Sequence, residues 1–170
     1  MTLRRRTGAA AALTAIVVVS VATMRRRVRR YAIAEQSMAP ALHPGDWVLA
    51  IRSGDPPLRG DIVVFDHPDS PGFELVKRVI GLPGETVTIA NGQVHIDGAV
   101  LAEPWADGPT RPAAEWGLSA DEILVLGDAR SRSAADGRTL GPLPLAAATW
   151  RVRLRYRPIG GIGRVSPGIR

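Results

Sequence analysis

The sequence predicts a mainly β domain carried behind a single N-terminal transmembrane helix. Three observations predict it. Residues 7–24 are an uncharged run dominated by Ala, Val, Ile and Leu, with arginines on both sides. From Tyr31 onward the apolar residues come in short or alternating runs cut by Gly, Pro and Asp, which is a strand pattern. One of those cuts, Asn91-Gly92, separates two alternating segments and signals a type I′ hairpin, whose turn residues must both take positive φ.

The apolar run comes first. Its 18 residues, rising about 1.5 Å each, reach about 27 Å, close to the roughly 30 Å of a bilayer core. A cleaved signal peptide uses the same features, and Ser20-Val21-Ala22 is an acceptable cleavage site; the leading arginines also fit part of a twin-arginine signal. The anchor reading is preferred. The expected organisation is a basic N-terminus and anchor over 1–30, a β domain over 31–158 and a Gly-rich flexible tail over 159–170. Five arginines follow the apolar run and three precede it, which by charge alone favours a cytoplasmic domain.

The expected strands follow in order. Trp47–Ile51, Ile62–Phe65 and Leu75–Ile80 are short apolar or alternating runs. Thr86–Ala90 and Gln93–Asp97 flank the hairpin turn. Residues 103–122, rich in Pro and Gly, read as a long surface excursion, and Ile123–Leu126 reads as a buried strand. Trp150–Arg157 alternates strictly, with Arg151, Arg153, Arg155 and Arg157 on one face. That face is expected to be solvated; contact with anionic lipid headgroups is the sharper alternative.

Composition removes several function classes. The formal charge of +6 comes from the N-terminus: residues 1–30 hold eight arginines and no acid, whereas residues 31–170 hold 14 basic and 16 acidic residues. A nucleic-acid partner is therefore not expected. Without cysteine there is neither a disulfide nor a thiolate metal site. His43, His67 and His95 lie 24 and 28 residues apart, unlike a helix-borne metal pair, so neither metal nor cofactor is expected.

Lys77 is the only lysine among 22 basic residues. Arginine stays protonated in a protein, whereas a buried lysine can lose its proton and act as a base. Ser37 follows a strand-like segment and precedes a proline-held turn, Ala39-Pro40-Ala41-Leu42. A serine hydroxyl needs a neighbouring base to become a nucleophile. Nothing around the three histidines resembles a triad signature, and Gly-x-Ser-x-Gly and Ser-x-x-Lys are both missing. That leaves Lys77, flanked by apolar residues that would desolvate it.

Several ordered segments resemble the type I signal peptidases. Ser37-Met38-x-Pro40-x-Leu42 looks like that family's nucleophile box, and Arg59-Gly60-Asp61-Ile62-Val63-Val64-Phe65 resembles its Gly-Asp strand. Val76-Lys77-Arg78-Val79-Ile80-Gly81-Leu82-Pro83-Gly84-Glu85 is close to its lysine box. Asn91-Gly92 to Glu103-Pro104 is similar to the hairpin that follows. Leu126-Gly127-Asp128-x-Arg130, Ser133, Asp136-x-Arg138 and Gly141-Pro142 are similar to its last box.

The resemblance implies coiled antiparallel sheets on an N-terminal membrane anchor, with Ser37 as nucleophile and Lys77 as general base. It implies that Ser133 orients Lys77, that Asp136 braces Ser133 or Arg138, and that Asp128 and Arg130 form an internal salt bridge. It implies removal of signal peptides from secretory preproteins, bound as an added strand, by a single-pass enzyme of the cell membrane that also contacts lipid. Its catalytic domain would stand on the extracytoplasmic side, against the flanking charges.

Three departures stand out. Glu35 occupies the place where the family has Gly or Ser able to donate to an oxyanion, and an ionised carboxylate only accepts. Ala129 replaces an Asn, and one extra residue separates Ser133 from Asp136. The alternatives are a maturation protease with few clients and a catalytically silent membrane-tethered binding domain. The self-cleaving repressors share the Ser–Lys pair but carry a DNA-binding N-terminal domain that has no counterpart here.

Overall fold

Ile62-Val63-Val64-Phe65 is apolar at every position because its strand is covered on both faces. The computed structural model describes residues 27–165. In it, Ile62 and Val64 enter one hydrophobic core with Met38 and Leu42, while Val63 and Phe65 enter a second with Val79 and Val125. An alternating pattern would have left one face to water.

In chain order the strands are β1 (Val28–Ala32), β2 (Trp47–Arg52), β3 (Ile62–His67), β4 (Ser70–Gly81), β5 (Thr86–Ala90), β6 (Gln93–Ile96), β7 (Ala99–Val100), β8 (Ala114–Gly117), β9 (Glu122–Leu126), β10 (Leu143–Pro144), β11 (Trp150–Arg157) and β12 (Gly163–Arg164). The larger sheet runs β1-β2-β11-β3-β4-β9-β10, with β12 added to β11, and the smaller runs β7-β6-β5-β8. All these pairings are antiparallel. A third core, including Ile80, Val87, Trp105, Leu124 and Leu126, joins the two sheets. Strand β9 divides the second core from the third, sending Ile123 and Val125 one way and Leu124 and Leu126 the other.

The hairpin turn has the expected form, with Asn91 at φ 52° and Gly92 at φ 80°. A second turn of the same kind, Asp97-Gly98 at φ 50° and 83°, joins β6 to β7 and was legible from the same dipeptide rule.

Three sequence expectations need correction. Residues 103–122 are only partly a surface excursion: Trp105, Thr110 and Leu118 are buried, and Ala114–Gly117 becomes β8 on β5. The arginines of β11 are not a uniformly solvated face. Register shifts break the alternation; Arg151 is buried beside Asp61, and Arg155 reaches Asp46 at 3.2 Å. Residues 159–164, expected as a loose tail, turn back as β12 with Leu154 opposite Arg164, and Arg155 Nε donates to the Gly161 carbonyl at 2.7 Å.

Strand β1 begins at Val28, paired with Ile51, ahead of the boundary expected at residue 31. The expected transmembrane segment, residues 7–24, lies outside the described residues.

Candidate active site

The loop between β1 and β2 is closed at its base by main-chain hydrogen bonds. Ile33 N–H donates to the Asp46 carbonyl at 2.8 Å, and Gly45 N–H donates to the Ile33 carbonyl at 2.9 Å. Within it, Ala39 N–H donates to the Gln36 carbonyl at 3.0 Å and Leu42 N–H to the Met38 carbonyl at 2.8 Å. Met38 and Leu42 sink into the first core and pin the turn. Ser37, between the bonded segments, is only 5% exposed, and its own N–H makes no hydrogen bond among the described residues.

Lys77 arrives from β4, opposite Val63 of β3, and is 2% exposed. Its Nζ donates to Ser37 Oγ at 2.9 Å, the one hydrogen bond the ammonium makes among the described residues. Burial pushes the Lys77 pKa below the ordinary lysine value, against the charges of Asp136, Glu35 and Asp128, which favour its protonated form. Burial thus favours the neutral amine, at hydrogen-bond distance from a serine hydroxyl.

Ser133 and Asp136 sit beside this pair, on the loop after β9. Ser133 Oγ donates to Asp136 Oδ2 at 2.7 Å, and Gly127 N–H donates to the same oxygen at 3.0 Å. Burial alone would raise the Asp136 pKa, but hydrogen bonds from Arg138, Ser133 and the Gly127 N–H outweigh it and hold the carboxyl below its usual value. Asp136 thus engages both Ser133 and Arg138 despite the extra residue in this loop. Ser133 makes no hydrogen bond to Lys77 among the described residues; its hydroxyl is committed to Asp136.

Gly127 explains how the two loops come so close. A Cβ there would run into Ser133 Oγ and would lie 2.7 Å from the Ser37 carbonyl oxygen. That carbonyl in turn accepts from Ala129 N–H at 3.1 Å.

Asp128 and Arg130 are both buried, but they do not pair with each other. Asp128 accepts from Arg78 Nε at 2.7 Å and from Arg78 Nη2 at 2.6 Å, while Arg130 pairs with Glu103 at 2.5 Å. The missed signal was Arg78 itself: a fully buried arginine in an apolar strand requires a carboxylate.

A cleft of about 130 Å³ opens next to Ser37 and Lys77, with residues 32–35 on one wall and residues 73–76 of β4 on the other. Strand β4 pairs with β9 only from Arg78 onward, so Ser70–Lys77 has no strand partner on that side among the described residues. The cleft is therefore bordered by an open sheet edge.

A family model described as "Signal peptidase, peptidase S26" matches residues 5–157. The chain is 37% identical over 149 residues to a signal peptidase I of Leptolyngbya laminosa, which covers 79% of this chain and 71% of that protein. It is 35% identical over 143 residues to a probable signal peptidase I-2 of Synechocystis sp., covering 77% of this chain and 64% of that one. It is 30% identical over 135 residues to the mitochondrial ATP-independent inner membrane protease subunit 1b of Arabidopsis thaliana, covering 77% and 71%. With a match over most of its length and a β framework of antiparallel sheets to carry it, the chain belongs to the signal peptidase, peptidase S26 family and is a serine protease.

Proposed function

We propose that the chain is a membrane-anchored endopeptidase that removes signal peptides from exported preproteins, with Ser37 as nucleophile and Lys77 as general base. The observation that carries this reading is the 2.9 Å contact between Lys77 Nζ and Ser37 Oγ in a buried site. Once Lys77 is neutral the contact reverses, and the Ser37 hydroxyl donates along the same line. Oγ then attacks the scissile carbonyl while Lys77 takes its proton. Collapse of the tetrahedral intermediate breaks the C–N bond, and the proton passes from Lys77 to the leaving amine. Water then attacks the acyl carbon while Lys77 takes its proton, and Lys77 returns that proton to Ser37 Oγ as the ester C–O bond breaks.

The unengaged N–H of Ser37 is available to the oxyanion, and Glu35 supplies no second donor. The substrate lies in the cleft as an added strand on the open edge of β4, with small side chains at the first and third positions before the cut. Ser133 and Asp136 support the site from behind by fixing the loop that borders Ser37. Residues 7–24 anchor the chain in the bilayer, with the domain on the extracytoplasmic side.

The test is incubation of the detergent-solubilised full chain with a model preprotein. Wild type should cleave once, after a small residue, and Ser37→Ala and Lys77→Arg should not. Undiminished cleavage by Ser37→Ala would overturn the assignment.

A further inference from the structure

Glu35 precedes Ser37 by two residues, is exposed, and makes neither a hydrogen bond nor an ion pair among the described residues. It lines the same cleft as Ser37 and Lys77, and its charge is close enough to act on the Lys77 ammonium. The second carboxylate of the cleft, Glu74, is already engaged by Arg29 Nη1 and by the Tyr31 hydroxyl, each at 3.1 Å. The remaining lining side chains are apolar. When Lys77 is neutral, the described residues lining the cleft therefore present one unengaged negative charge and no positive charge. This is a chain that otherwise answers most electrostatic needs with arginine, 21 of its 22 basic residues.

We propose that Glu35 is a specificity-determining residue that selects clients with a basic side chain at the second position before the cut. The proposal rests on the reading of Ser37 and Lys77 as a protease site that takes an extended peptide. Along a strand, side chains alternate between the two faces. If the first and third residues before the cut turn into the cleft, the second turns outward along its rim, where the exposed Glu35 stands. A Lys or Arg there meets an opposite charge, and an Asp or Glu meets a like one; such pairs discriminate partners more than they add affinity. Because Glu35 is solvated, the effect is moderate and is screened by salt.

The test uses the full chain in detergent with three peptides identical except for Lys, Gln or Glu at that second position. The measurement is kcat/KM for wild type and for Glu35→Gln at low and high salt. Wild type should prefer Lys over Glu by about tenfold at low salt, taking attraction and repulsion together, and by much less at high salt. Glu35→Gln should compress the ratio to within about twofold. A ratio taken within one enzyme cancels any influence of Glu35 on Lys77, because all three peptides meet the same base. Equal cleavage of the three peptides by wild type, or an undiminished preference in Glu35→Gln, overturns the proposal alone. No cleavage of any peptide overturns the protease reading together with it.

Discussion

The Arg138 guanidinium grips the Asp136 carboxylate at two points, Nε to Oδ1 at 3.0 Å and Nη2 to Oδ2 at 2.8 Å. The same guanidinium reaches the Ser133 carbonyl at 2.7 Å and the Arg111 carbonyl at 2.8 Å. One side chain thus fastens the loop behind Ser37 and holds the segment around Arg111 against it.

Arg138→Ala should therefore destabilise the domain by about 3 kcal/mol, because it leaves a fully buried Asp136 without its cation. Asp136 has a depressed folded pKa, so its contribution is present above the unfolded carboxyl value of about 3.9 and is lost as pH falls through the lower folded value. In Arg138→Ala that folded value rises, and acid unfolding should begin at higher pH. Urea titrations of both proteins from pH 3 to 7 check the magnitude and the direction.

Lys77→Arg should abolish cleavage while the domain stays folded, since it keeps the charge and the stem but cannot lose a proton. In wild type, kcat/KM should rise with pH through the lowered Lys77 pKa, because only the neutral amine accepts the Ser37 proton. Stability should rise over the same range: between the lowered folded value and the unfolded value of about 10.4, the unfolded chain binds more protons. One peptide assayed from pH 5 to 10, with thermal unfolding alongside, measures both. An active Lys77→Arg enzyme would remove the general-base role.

Gly127→Ala should cost activity out of proportion to stability. Its methyl group meets Ser133 Oγ and the Ser37 carbonyl, so the Ser133 hydroxyl must leave Asp136 and the Ser37 turn must shift. Overpacking of this kind costs about 1–3 kcal/mol, and a misplacement near 1 Å lowers turnover by about 100-fold. The check is kcat on a peptide against the urea midpoint; full activity would show that the Ser37 turn tolerates the displacement.

A chain starting at Arg27 should cleave soluble peptides with a kcat close to that of the full protein, since it keeps every described contact. A chain starting at Tyr31 should be less stable by about 1–2 kcal/mol, because it loses the Val28–Ile51, Arg29–Ala50 and Arg30–Leu49 pairings and the 3.1 Å bond from Arg29 to Glu74. Thermal unfolding of the two truncations compares them directly.

Strand pattern and turn chemistry are local properties, and they were legible. Asn91-Gly92 and the doubly apolar Ile62–Phe65 read directly from backbone sterics and from burial on two faces. The approach of Lys77 to Ser37 was legible as a pairing of chemical needs, a hydroxyl lacking a base and a solitary lysine among apolar neighbours, and through the resemblance of the segments that carry them, not from any local pattern. The partners of the buried arginines were not legible. Asp128 and Arg130 are near neighbours in sequence, yet each pairs far away, with Arg78 of β4 meeting one and Glu103 of the segment after β7 meeting the other. The strict alternation of Trp150–Arg157 misled because register shifts are invisible in a period of two.

Among the described residues, strand β4 is interior for Arg78–Gly81 and open along one side for Ser70–Lys77. An unpaired edge invites a second copy of the same chain as readily as any other peptide. The residues written along this one discourage that: Pro71 cannot donate to a ladder, Gly72 takes φ 87° and interrupts regular extension, and Glu74 carries charge. Only the last few residues before Lys77 are left inviting. Protection from self-association is thus built into the outer end of the same open stretch that carries the lysine at its inner end, and substitutions that smooth residues 70–74 into a regular apolar strand would be felt first as lost solubility.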